Sequence, residues 1–169
     1  MTAIPDLVGR KVAILHRPDE GIARLVRQLG LLGLEAHVQW TPLDLEATPA
    51  DIVLVDADQG WSGLLPWSGE PAPLPMVALL QSEAPGRVAW AISEGALAIL
   101  PKPVVPAAVY PALVLAVAAH ARAVEAAAAW SALRSGCACA PWYMPPSGPS
   151  RWRCSATRKR PTPLSAARP

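Results

Sequence analysis

The chain has 169 residues, of which 52% are hydrophobic, and a formal net charge of +2. This length favours one domain with a sizeable core and an appendage. The charge is unevenly divided: residues 1–134 hold nine Lys/Arg and all thirteen Asp/Glu, whereas residues 135–169 hold six Lys/Arg and no acid. All three cysteines lie in the second part, which excludes a disulfide framework in the first and suits a reducing cytoplasm.

The sequence predicts a soluble, cytoplasmic protein. The first residues show no charged region followed by an apolar run, so no signal peptide is expected. The longest uncharged apolar run covers residues 104–119 and contains two prolines. It is shorter than the roughly 20 residues that a membrane-spanning helix needs.

Strands and helices are predicted to alternate along the first half of the chain. An apolar run at 11–17 ends in polar residues and predicts the first strand, and apolar residues at helical spacing predict a helix over 21–33. Residues 35–40 form a short second strand. The stretch "DIVLVD" at 51–56 is a third, fully buried strand that ends in a carboxylate.

Strands and helices are also predicted to alternate in the second half of the chain. A stretch rich in Gly and Pro follows Asp56, so any helix there must be short. Beyond it we predict a strand at 75–81, a helix at 86–94, a strand at 97–101 and a long Ala-rich helix at 106–134. The order predicts an α/β fold with a five-stranded parallel sheet, and any chemistry belongs at the carboxyl ends of its strands.

The stretches "DIVLVD" and "AISEGALAILPKP" resemble the response-regulator receiver family, whose fold is flavodoxin-like. By this resemblance Asp56 occupies the phosphoacceptor position at the end of strand three. Lys102 and Pro103 occupy the Lys-Pro position after strand five, where the peptide bond is typically cis in that family.

Two features of the receiver pattern are missing from this sequence. His16 and Arg17 stand where receivers carry the acidic pair that holds Mg²⁺, and Leu80 replaces the Ser/Thr at the end of strand four. Phosphoryl transfer to a carboxylate needs a divalent ion to offset charge. We therefore predict a non-enzymatic protein without metal or cofactor, in which Asp56 is a strand-end carboxylate paired with Arg17 or Lys102.

Residues 1 to about 134 resemble more narrowly the ANTAR antitermination regulators of the amidase-operon type. That resemblance implies a pseudo-receiver that contacts a sensor or negative-regulator protein, and a coiled-coil helix for homodimerisation through 106–134. The helix offers one apolar face, although it could equally be a final helix packed on its own sheet. The residues of that face are Leu113, Val117, Ala121, Val124 and Ala128.

The predicted organisation is a receiver-like α/β domain (1–110), the long helix (106–134) and a disordered basic tail rich in Pro, Arg and Cys (135–169). Intact relatives carry three RNA-binding helices after the long helix, but the tail has seven prolines and no helical periodicity. Its composition is typical of a GC-rich gene read out of frame. We therefore expect no specific RNA binding by this chain.

Two other functions are compatible with the residues. The chain could be a stand-alone flavodoxin-like module that binds a small anion or nucleotide, with Arg17 and Lys102 binding a phosphate group. It could also be a true phosphorylated receiver in which Asp19 or Glu20 supplies the missing metal ligand. Nucleotide binding would mark the first alternative, and a response to Mg²⁺ would mark the second.

Overall fold

The computed structural model describes residues 4–67 and 71–136. Within them every predicted strand and helix is present, with bounds that differ by a few residues, so the predicted fold is confirmed. The elements in chain order are β1 (Lys11–Leu15), α1 (Glu20–Leu31), β2 (Glu35–Gln39), β3 (Ile52–Asp56), a 3₁₀ turn (Ser62–Leu64), β4 (Met76–Leu80), α2 (Pro85–Ser93), β5 (Ala96–Pro101) and α3 (Pro106–Gly136).

The five strands form one parallel sheet in the order β2-β1-β3-β4-β5. All residues of β3 and β4 are buried, because these strands have neighbours on both edges and cover on both faces. Their continuous apolar runs are typical of such central strands. The edge strand β2 is half-exposed. Since all strands are parallel, their carboxyl ends meet at one edge of the sheet.

Helix α1 begins where the sequence supplies a cap. The Asp19 carboxylate accepts a hydrogen bond from the Ile22 N–H at 2.7 Å, which satisfies one of the free donors of the first turn. Gly33 follows the helix with a φ of +79°, a conformation that residues with a Cβ rarely adopt. These two residues fix the length of the helix and direct the chain into β2.

The two faces of the sheet are covered differently. Helix α1 and the first half of α3 pack on one face through Leu25, Leu29 and Leu113, together with Ile14, Leu54 and Leu79 of the strands. On the other face, segments without regular structure replace most of the helical cover, and Leu43, Leu64 and Trp67 fill this layer. Helix α2 covers Ala78 and Leu80 at the β4 end. The predicted short helix after Asp56 is the single 3₁₀ turn.

Helix α3 has two halves with different surroundings. Val109, Leu113 and Val117 are buried against the sheet, whereas residues 121–132 are all exposed. Leu113 and Val117 therefore belong to the domain's own core, as the second of the two predicted roles of this helix requires, and the predicted homodimer stays a prediction. By length and composition alone, residues 106–132 could also cross a membrane, with a mean hydropathy of 1.6 and 28% burial. One such helix is weak evidence for a span, since core helices pass the same test.

The chain divides into two compact units, Met1–Ala128 and Ala129–Pro169. The first contains the sheet, the other helices and α3 as far as Ala128. The predicted disordered tail, 135–169, lies almost entirely outside the described residues. Its proposed disorder and frameshifted origin therefore stay predictions.

Candidate functional site at the carboxyl ends of the strands

Four polar side chains come together where β1, β3 and β5 end. His16 follows β1, Asp56 closes β3, Asp58 lies two residues beyond, and Lys102 follows β5. The sheet order places β3 beside β1, and β4 between β3 and β5, so the long Lys102 side chain reaches across the β4 end. We refer to these four residues as the ionic quartet.

Asp56 is the buried centre of the ionic quartet, with 1% of its surface exposed. Its Oδ1 accepts a hydrogen bond from Lys102 Nζ at 2.9 Å and another from the Asp58 N–H at 3.0 Å. Its Oδ2 lies 3.3 Å from His16 Nε2. Oδ1 therefore has two donors inside the domain, which offsets part of the cost of burying this carboxylate, and Oδ2 faces the His16 ring.

Asp58 is held from two directions. Its Oδ1 accepts from the Ser82 N–H at 2.9 Å, and its Oδ2 accepts from the Gln81 N–H and from Lys102 Nζ, both at 2.8 Å. Burial alone would raise the pKa of this carboxyl, but the Lys102 ammonium and the two backbone N–H groups outweigh it. The pKa of Asp58 consequently lies below its usual value of 3.8, and the side chain ties the end of β3 to the end of β4.

Lys102 links the two carboxylates. Burial alone would lower its pKa, but hydrogen bonds to Asp58 and Asp56 outweigh burial, so the pKa of Lys102 lies above 10.5. Its backbone N–H donates to the Leu80 carbonyl at 2.8 Å, which fixes the start of the side chain beside β4. Lys102 is therefore charged at neutral pH, and its ammonium group lies between the two carboxyl groups.

His16 completes the ionic quartet and is 6% exposed. Its Nδ1 lies 2.6 Å from the Arg17 carbonyl; since a carbonyl only accepts, Nδ1 must carry a proton. A neutral ring then offers Nε2 as an acceptor to Lys102 Nζ, 3.4 Å away. A protonated ring instead donates from Nε2 to Asp56. The imidazole has a partner in either state.

The other predicted pocket residues occupy different places. Arg17 does not pair with Asp56, contrary to one of the two predicted pairings. It is exposed, and its guanidinium lies 5.6 Å from the centre of the Trp40 ring. Leu80 is buried with 8% exposure. The Lys102–Pro103 peptide bond is cis, as the resemblance to receivers implies.

The residues present do not fit a bound Mg²⁺. That ion prefers six oxygen ligands in a near-octahedral shell. Here Lys102 occupies one oxygen of each carboxylate, and an imidazole faces Asp56 where an acidic side chain would serve. In the described ranges no group of three or more His, Cys, Asp or Glu could hold a metal. Asp19 caps α1 with one oxygen, and its other oxygen lies 3.8 Å from His16 Nδ1.

Sequence reasoning missed two features of this edge. Asp58 was not among the predicted site residues, although it holds Lys102 as closely as Asp56 does; the signal was the second carboxylate two residues after the first. It also missed the pairing of Trp40 with Trp61, whose ring centres lie 5.4 Å apart at an interplanar angle of 81°. Only the tertiary fold brings these two indoles together.

A five-stranded parallel sheet with an aspartate at the end of β3 and a lysine after β5 defines the receiver class of signal-transduction domains. Residues 10–117 match the family described as AmiR, N-terminal. The chain therefore belongs to the AmiR N-terminal family, which is the receiver-like part of an ANTAR-type regulator. The predicted resemblance is confirmed.

The chain is also similar to several solved structures. The Rec1 domain of ShkA in complex with c-di-GMP is 29% identical, with a TM-score of 0.48 over 64% of this chain and 94% of that chain. Full-length ShkA in complex with AMPPNP is also 29% identical (TM-score 0.50), over 68% of this chain but only 25% of that one. A CheY-like response regulator from Mesorhizobium loti is 17% identical (TM-score 0.49), over 64% and 98% of the two chains. No curated protein matches the sequence.

Proposed function

We propose that this chain is a non-enzymatic regulator whose receiver-like domain signals through contact with a sensor or negative-regulator protein, and not through phosphorylation of Asp56. Intact regulators of its family continue into an RNA-binding domain and act in transcription antitermination. This chain would supply the partner-binding half of that function. Receiver domains are typically regulators and not catalysts.

The observation that carries the proposal is the state of the Asp56 carboxylate. A phosphoacceptor needs a free oxygen to attack phosphorus and a divalent cation to offset charge on the transferring group. Here Lys102 and the Asp58 N–H occupy Oδ1, and His16 lies against Oδ2. Attack would require breaking contacts that neutralise a carboxylate with 1% exposure.

The competing functions are less well supported by this geometry. Phosphate binding by Arg17 together with Lys102 requires a free lysine, but two carboxylates already neutralise Lys102 at 2.8 and 2.9 Å. Rescue of a metal by Asp19 requires that residue to leave its cap on α1. Glu20 lies in the first turn of that helix, where a negative charge stabilises the helix dipole.

Self-association is a second part of the proposal. After the buried half of α3, the side chains of 121–132 are exposed, and Val124 is 54% exposed. A helix segment that carries apolar residues without cover is a usual dimer contact. We therefore infer a homodimer through the exposed part of the predicted 106–134 region. No specific RNA binding is expected from residues 135–169.

Phosphorylation of the full chain tests the central claim. Incubation with acetyl phosphate and Mg²⁺, followed by intact mass measurement, should show no stable phosphoryl adduct. A receiver of known phosphorylation, treated in parallel, confirms that the reagent is active. Gain of one phosphoryl group in this chain, lost in Asp56→Asn, would contradict the proposal.

A further inference from the structure

Beside the ionic quartet, three residues from the segments that follow β1, β2 and β3 form a partly exposed group that the ionic quartet does not use. Arg17 follows β1, Trp40 follows β2, and Trp61 precedes the 3₁₀ turn after β3. The Arg17 guanidinium lies 5.6 Å from the centre of the Trp40 ring, and Trp61 meets that ring edge to face at 5.4 Å. We call these three residues the Arg-Trp surface.

The loops beneath this surface hold the indoles in place. The Leu43 N–H donates to the Leu64 carbonyl at 2.9 Å, which joins the loop after β2 to the 3₁₀ turn after β3. Trp61 lies against Gly63, where an added Cβ would stand 3.1 Å from the indole Nε1. Trp40 is half-buried and packs against the second core layer, so it is a fixed base for Arg17 and Trp61.

Packing against the described residues of the domain does not account for the exposed parts of this surface. Trp61 is 43% exposed, although a large aromatic side chain gains most when it is fully buried. Arg17 is exposed, and no described carboxylate lies within ion-pair distance of it. By contrast, Lys102 is neutralised by Asp56 and Asp58, so Arg17 is the cation at this edge that still lacks an anionic partner.

We propose that the Arg-Trp surface is the docking site for the partner protein of this regulator, and that the partner presents a carboxylate to Arg17 beside an apolar side chain on Trp61. The inference rests on the proposed function, since it locates the contact that function requires. Trp and Arg dominate binding energy at protein interfaces, where they supply large contact areas and bidentate hydrogen bonds to carboxylates. Open exposure suits a protein partner, whereas small ligands favour enclosed cavities.

The test uses the full chain and a displayed library of random twelve-residue peptides. Counter-selection against the Arg17→Gln, Trp61→Ala double variant removes peptides that bind the basic tail, because this variant retains all six Lys/Arg of residues 135–169. The surviving peptides should share an Asp or Glu near an aromatic or aliphatic residue. Their binding should shift the indole N–H resonances of Trp40 and Trp61.

Single variants decide where the peptides bind. Arg17→Gln and Trp61→Ala should each weaken the selected peptides about tenfold or more. Arg27→Gln removes an exposed arginine of α1, and Tyr110→Ala removes an aromatic side chain of matched exposure, 42% against 43% for Trp61; both should leave affinity within twofold. Unchanged circular dichroism and melting temperature confirm that each variant is folded.

Three results of the peptide selection would overturn the proposal: no enriched peptide, enriched peptides without an acidic residue, or affinity that Arg17→Gln and Trp61→Ala leave unchanged. Indole shifts caused by ATP, GTP or FMN, and lost in Arg17→Gln, would also overturn it by assigning the surface to a small anionic ligand. Failure here is distinct from failure of the proposed function. Phosphorylation at Asp56 is measured independently and does not involve the Arg-Trp surface.

Discussion

At the scale of single residues, Lys102 is the side chain on which the strand-end site depends. It is the cation shared by Asp56 and Asp58. Because Asp56 is buried, water could not take the place of the Lys102 ammonium group beside it. Lys102→Met should destabilise the fold by about 3 kcal/mol, because removing one member of a buried ion pair leaves an uncompensated charge. Urea denaturation at neutral pH measures the loss.

Lys11→Met is the matched control for that prediction. It makes the same chemical change at an exposed lysine that starts β1, and it should alter stability by no more than about 0.5 kcal/mol. Asp56→Asn added to Lys102→Met should recover part of the loss, since it removes the orphaned charge. Equal effects of the two lysine variants would show that the ionic quartet contributes nothing to stability.

The shifted pKa values predict how stability depends on pH. The pKa of Asp58 lies below 3.8 in the folded state, so its contribution is present above 3.8 and is lost as pH falls through the folded value. The pKa of Lys102 lies above 10.5, so its contribution is present below 10.5 and is lost as pH rises through the folded value.

Asp58→Asn should therefore be less stable than the parent chain at neutral pH, and the difference should shrink below pH 3.8. Denaturant titrations from about pH 7 to about pH 2 measure it. Asp44→Asn serves as a control, since Asp44 lies in an exposed loop and accepts only local backbone N–H groups. If the difference in unfolding free energy between Asp58→Asn and the parent chain stayed constant to the lowest pH, the Asp58 charge would have no stabilising role.

The sequence predicted which residues form this site better than it predicted the contacts among them. Strand ends and the Lys-Pro motif predicted that Asp56 and Lys102 would meet, and they do. They could not decide between His16 and Arg17, because both follow β1 and only the twist and exit of the strand determine which one turns inward. Asp58 was missed for a related reason: besides Lys102, its partners are the backbone N–H groups of Gln81 and Ser82, which no side-chain motif records.

At the scale of elements, the loop after β3 depends on close packing at Gly60. A Cβ there would stand 2.5 Å from the Asp56 carbonyl oxygen and would also collide with the Trp90 ring of α2. Gly60→Ala should therefore lower stability by about 1–3 kcal/mol, as overpacking of a core does, and should displace Asp56. Thermal melting and the indole resonance of Trp90 report the two effects.

Gly30→Ala gives the opposite expectation within the same domain. Gly30 lies inside α1, and a Cβ there has nothing within 4 Å. The change should raise stability by about 0.5–1 kcal/mol, since alanine loses less backbone entropy than glycine in a helix. A Gly60→Ala variant as stable as the parent chain would contradict the packing described at Gly60, and a Gly30→Ala variant less stable than the parent chain would contradict the open space described at Gly30.

Fold class was predictable because each strand of a parallel sheet is a short apolar run and each helix has its own apolar period. Which segments pack on each face of the sheet could not be predicted from the sequence. In α3, Leu113 and Val117 show the same spacing that a dimer contact would have, since helices use one period to face a sheet or a partner helix. Only the distance from the sheet separates the buried half from the exposed half.

At the scale of the whole molecule, the exposed half of α3 predicts the oligomeric state. Ala121, Val124 and Ala128 share one face and have no cover within the first unit. Sedimentation velocity on the full chain should show a concentration-dependent monomer–dimer equilibrium. Val124→Glu should weaken the dimer about tenfold or more, because it would place a carboxylate between apolar side chains without a partner.

Ala123→Glu separates interface effects from effects on the helix. It introduces the same charged residue one position away, on another exposed side of α3, and glutamate is a good helix former at either site. The control should therefore keep both the helix content and the dimer constant of the parent chain. A parent chain that stays monomeric at high concentration, or equal weakening by both variants, would remove the exposed half of α3 as the dimer contact and would leave its apolar residues to another partner.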